Sequence, residues 1–133
     1  MQASQAQRPA QSINFEQKLA LIADRWQPRV VAEMNDYQFK LVRIEGEFIM
    51  HAHPDTDETF IVLHGQLRID FRDGHVLVNP GEMYVVPKGV EHKPYAREEV
   101  RMLLIEPRGE VVGQLSERQR QRLGAADRQQ PRS

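Results

Sequence analysis

Short apolar or alternating runs, each closed by turn-forming residues, follow one another through most of this chain. They occupy 30–34, 37–44, 47–53, 58–63, 66–71, 75–78, 83–86, 92–96 and 101–106. The breaks between them include Asn35-Asp36, Glu45-Gly46, His64-Gly65, Asp73-Gly74, Asn79-Pro80-Gly81 and Pro87-Lys88-Gly89. Runs this short cannot bury a helical stripe. Residues that alternate with period two instead cover one face of a strand. The pattern predicts an all-β sandwich or barrel. One departure precedes it. Over 12–22, Asn14 is a capping residue, and Phe15, Leu19 and Ile22 fall on one face, which predicts a short N-terminal helix.

Two runs are apolar on both faces: Phe60-Ile61-Val62-Leu63 and Met102-Leu103-Leu104-Ile105. One face of each fills a barrel interior, and the other must meet a helix, a second layer or a partner subunit. Self-association as a homodimer is the expectation. The alternative is that the N-terminal segment folds over that face within one subunit.

The chain has 133 residues, enough for one domain with an ordinary core. It has no cysteine, which excludes disulfides, thiol nucleophiles and thiolate-held metals. A formal net charge of -1 argues against general nucleic-acid affinity. No apolar run approaches the length of a membrane span. The expected organisation is a polar, Gln-rich disordered leader over 1–12, one domain over 13–110, and a polar flexible tail over 111–133. A cytoplasmic protein is the default expectation.

Chemistry concentrates in His51-Ala52-His53-Pro54-Asp55-Thr56-Asp57-Glu58, with His92 following well downstream after Pro87-Lys88-Gly89. On a strand, His51 and His53 point the same way. Glu58 opens the next strand beyond a turn and shares a side with Phe60 and Val62. If that side faces inward, a carboxylate and imidazoles meet there, and these are ligands that divalent transition metals prefer. The competing reading is a set of scattered surface histidines beside an acidic turn. Glu47 shares the face of His51, and Tyr84 is a further weak candidate for substrate contact. Lys40, Arg43 and Arg101 are possible contacts whose direction the sequence leaves open. His64 and His75 read as turn or rim residues, Asp55 and Asp57 as turn residues, and Trp26 as packing for the N-terminal segment.

Gly46, His51-x-His53, Glu58 and Gly65 together resemble the first signature of the cupin superfamily, with one residue fewer than usual before His51. The segment from Gly81 through Pro87 and Gly89 to His92 resembles the second, although Ala96 stands where that signature usually carries Asn. The resemblance implies a small antiparallel β-barrel of the jelly-roll, or double-stranded β-helix, type. It also implies one divalent transition metal inside, such as iron, manganese, nickel or zinc, held by the residues that match the family's ligands: His51, His53, Glu58 and His92. Such a family includes dioxygenases, isomerases, lyases and non-catalytic binders, so fold alone decides little about the reaction. The expectation is a metal-dependent enzyme on a small organic molecule. A small-ligand binding or sensing module is the alternative, and a purely structural metal site is the third reading.

Overall fold

The computed structural model describes residues 8–109. The helix α1 spans Phe15–Ala20, and the Asn14 side chain caps it by accepting a hydrogen bond from the Gln17 N–H. Seven strands follow: β1 (Arg29–Met34), β2 (Tyr37–Glu47), β3 (Glu58–His64), β4 (Leu67–Phe71), β5 (Gly74–Val78), β6 (Met83–Val86) and β7 (Lys93–Pro107). Every pairing among them is antiparallel.

The long strand β7 joins the two halves of the barrel. Its later residues lie between β2 and β3 in the order β1-β2-β7-β3-β6, while Lys93 to Tyr95 pair with β4, which also holds β5. Two predicted breaks are therefore absent. The runs 92–96 and 101–106 are one continuous element from Lys93, because the exposed Arg97-Glu98 pair sits on an extended backbone instead of in a turn. Glu45-Gly46 is likewise not a turn. The register with β7 shifts between Ile44 and Gly46, and Gly46 takes φ 89°, so this is a bulge that bends a single strand. Gly65 has a stricter need. It adopts φ 82°, and a Cβ there would stand 2.5 Å from the Glu99 carbonyl oxygen.

Alternation sorts the apolar residues into two clusters. Val42, Ile44, Phe60, Val62, Val100, Met102 and Leu104 face inward, joined by Leu67, Ile69, Val78, Val86 and Ala96. On the opposite face, Leu41 and Leu103 are buried against Leu19 and Ile22, with Phe39, Ile61, Leu63 and Ile105 packed around them. The N-terminal segment thus covers part of the outer face within one chain. The Arg43 guanidinium reinforces this by donating to the Ile22 carbonyl and pairing with Glu99 at 2.8 Å. At the edge strand β6, Met83 and Val85 stay exposed. The leader's first residues and the tail over 111–133 lie outside the described residues.

Candidate metal centre

His51 sits on an irregular stretch between β2 and β3, not on the regular strand its spacing suggests. An isolated bridge to His92 holds it instead. The His51 N–H donates to the His92 carbonyl at 2.9 Å, and the His92 N–H donates back at 2.8 Å. The Gly89 N–H donates to the His53 carbonyl at 2.8 Å, and Asp57 accepts from the Lys88 N–H at 2.8 Å. The loop carrying two histidines is thereby tied to the loop that leads to the third. Glu58 is the first residue of β3 and shares the inward phase of Phe60 and Val62.

The four side chains converge. One ligand atom from each of His51, His53, Glu58 and His92 lies within 4.8 Å of all the others. Donors about 2.1 Å from a common ion would be roughly 3–4 Å apart, so small side-chain adjustments suffice. The imidazoles are prepared for this. His51 Nδ1 lies 2.8 Å from the Ile49 carbonyl and His92 Nδ1 lies 2.9 Å from the Val90 carbonyl. A carbonyl can only accept, so each Nδ1 carries the proton and each neutral ring presents Nε2 as a lone pair. His92 Nε2 stands 2.9 Å from Glu58 Oε1, and His53 Nε2 stands 3.5 Å from the same oxygen. His51 Nε2 is buried with no hydrogen-bond partner. A buried, pinned and unsatisfied nitrogen aimed into a cluster of donors fits a cation.

Electrostatics agree with the geometry. Burial pushes the His51 pKa down to about 4, and the neighbouring His92 and His53 charges add to the effect. Burial raises the Glu58 carboxyl, but the His53 and His92 rings beside it outweigh this and leave the group below its ordinary value. The site therefore offers a neutral His51 imidazole and an ionised Glu58 carboxylate at pH 7. Beside it opens a small pocket of about 10 Å³, room for little more than one water-sized group, whose apolar walls include Trp26, Phe48, Phe60 and Met102 and whose polar lining is His51 and Glu58.

Other expected contacts fall elsewhere. Glu47 is largely exposed at the rim, 3.6 Å from Lys93, and takes no part in the cluster. Its phase matched His51 only on a continuous strand, and that strand ends at Glu47. Tyr84 is half-buried and packs its ring on Phe71 at 5.8 Å. Arg43 and Arg101 both pair with Glu99 on the outer face. His64 and His75 are exposed. Lys40 faces inward, where its ammonium lies 2.6 Å from the fully buried Glu106. The sequence reading left Glu106 unremarked, although the alternation Met102-Leu104-Glu106 places it on the interior face. Trp26 ties its segment to β2 by donating to the Arg43 and Glu45 carbonyls, packs on the interior cluster, and walls the pocket beside His51.

A family model described as "Cupin domain" matches residues 40–106. The structure is similar to that of a cupin-2 domain containing protein from Shewanella frigidimarina, with 61% identity, a TM-score of 0.72, and coverage of 72% of this chain and 94% of that one. A Neisseria meningitidis protein is 36% identical with a TM-score of 0.67 over 73% of this chain and 99% of its own. The Bacillus subtilis protein YdbB is 42% identical over 64 residues, which span 47% of this chain and 57% of YdbB. With the barrel, the inward cluster and the matched span in agreement, this chain belongs to the cupin family.

Proposed function

We propose that this protein is a metal-dependent cupin acting on a small organic molecule, with His51, His53, Glu58 and His92 holding one divalent transition metal ion. The observation that carries the reading is the buried, unpartnered His51 Nε2 whose ring is fixed by the Ile49 carbonyl. Three imidazoles and one carboxylate leave two positions of an octahedron open, which a structural site would normally close. Iron, manganese, nickel or zinc suits this donor set. A metal bound there would supply Lewis acidity or, if redox-active, oxygen chemistry. The protein's own contribution is to pin the imidazoles, keep Glu58 ionised and exclude bulk water with Phe48, Phe60 and Trp26. A non-catalytic binder is the second reading. Among the described residues, the pocket's polar lining is confined to two ligand candidates, which favours it, since neither of them supplies a separate general base.

The same reading places the domain over 13–110, in the cytoplasm, without nucleic-acid or membrane partners. Among the described residues no helix is long and apolar enough to cross a membrane. A homodimer is part of it, supported by Met83 and Val85, which are 64% and 44% exposed beside the outer apolar face. Sedimentation at tens of micromolar tests it, and a monomer mass refutes it. Metal analysis of natively purified protein tests the site. One ion per chain is expected, with loss from both Glu58→Gln and His51→Gln. Wild-type protein that takes up no ion, or variants that keep theirs, would overturn the assignment.

A further inference from the structure

The pocket beside the proposed metal centre is not walled by the barrel alone. Trp26 comes from the segment ahead of β1, outside the residues that match the family model. Its backbone has φ 63°, a left-handed conformation that a bulky side chain adopts only when the surroundings enforce it. Two hydrogen bonds do so. The Trp26 N–H donates to the Arg43 carbonyl at 2.8 Å, and its indole Nε1–H donates to the Glu45 carbonyl at 3.1 Å. The ring then stacks on Phe48 with centroids 5.0 Å apart, and Phe48 meets the edge of His51 at 5.2 Å. An unbroken aromatic wall thus runs from the N-terminal segment to a ligand imidazole.

We propose that Trp26 is a specificity-determining residue: it closes the pocket over the metal centre and admits only ligands with a small apolar body behind an oxygen-rich chelating head. This rests on the metal reading above. The class of ligand follows from the lining. Phe48, Phe60, Met102 and Leu104 offer no hydrogen bonds, so polar atoms of a guest are satisfied only at the His51 and Glu58 end. The size limit follows from the stacked pair, whose indole is fixed at both its backbone and its Nε1 and cannot swing aside without losing those bonds.

The test uses cobalt(II)-loaded full-length protein and two probes with the same bidentate head, acetohydroxamate and benzohydroxamate, followed by visible absorption and calorimetry. Wild type should favour acetohydroxamate. Trp26→Gly removes the ring while permitting the left-handed backbone, and should shift the preference toward benzohydroxamate by about tenfold or more. Trp26→Phe retains a ring and should stay near wild type. Trp26 is the chain's single tryptophan, so its emission gives a second readout. Acetohydroxamate binding should change wild-type emission and its quenching by acrylamide. An unchanged preference in Trp26→Gly with cobalt retained overturns the proposal and leaves the metal reading standing. Should Trp26→Gly fail to fold, wild-type emission that ignores probe binding overturns it equally. Wild-type protein that holds no cobalt removes the metal reading and this proposal together.

Discussion

Two polar groups are buried in the same barrel interior, and they are built to opposite ends. Lys40 and Glu106 are 5% and 0% exposed and meet at 2.6 Å, one cation against one anion. The cluster of His51, His53, Glu58 and His92 brings one carboxylate and three imidazoles together with no fixed cation among its ligand atoms. The first group neutralises itself. On the metal reading proposed above, a bound cation completes the second. Burial of polar residues is therefore not by itself a sign of a binding site; the charge balance inside the buried set is. Even the ion pair is imperfect. Burial pushes the Glu106 carboxyl up to about 7 although Lys40 pulls it down, and its Oε2 has no hydrogen-bond partner.

Removing one member of the ion pair should have the largest effect. Lys40→Met leaves a buried carboxylate without its cation and should cost about 3–5 kcal/mol at pH 8 by denaturant unfolding. Lys40→Met with Glu106→Leu should recover most of that loss. A double variant no more stable than the single one would show that the pair is not self-contained.

The metal cluster should respond to chelation instead. An ion present at 100 times its Kd adds about 2.7 kcal/mol to stability, so a chelator should lower Tm at neutral pH by a corresponding amount. Glu58→Gln, which keeps shape but removes the charge, should fold and lose this response. A chelator response that survives Glu58→Gln would break the comparison.

In metal-free protein the two regions should tilt the pH profile in opposite directions, each by on the order of 2 kcal/mol. His51 is held near 4, below its ordinary 6.5. The unfolded chain takes up its proton first, so this contribution is complete above pH 6.5 and is lost as pH falls toward 4. Glu106 is raised from 4.5 to about 7. The native state keeps that proton longer, so its contribution is complete below 4.5 and is lost as pH rises through 7. The two windows overlap and largely cancel from pH 4.5 to 6.5, so Glu106→Gln should unmask the rise of stability with pH that His51 gives, read by unfolding from pH 4 to 8. A Glu106→Gln profile that rises no more steeply than wild type would sink the assignment.

The smallest effect is expected at His64, which ends β3 in solvent. His64→Gln should change stability by no more than about 0.5 kcal/mol and leave metal binding intact. Metal lost from this variant would mean that the β3 register is misread.

Much of the fold was legible in the residues. Strands β4 to β6 and the cap at Asn14 follow from local turn chemistry and alternation, which act over a few residues. The residues of the cluster, His51, His53, Glu58 and His92, were legible through motif spacing. The route by which it assembles was not, since the His51–His92 bridge joins residues distant in sequence. Gly46 illustrates the limit. A glycine between two apolar runs reads as a turn, and only pairing with β7 turns it into a bulge.

What the sequence by itself determined is which side chains alternate along the strands and that three imidazoles and a carboxylate stand at the spacing of a familiar motif. Those are properties of neighbours along the chain. Tertiary structure alone decided that Lys40 closes on Glu106, that α1 covers Leu41 and Leu103, and that Trp26 stands beside His51. Each of these depends on segments far apart in sequence meeting across the barrel. Nothing in their local composition specifies the partner, because packing and charge compensation are settled only when the sheet curls and excludes water.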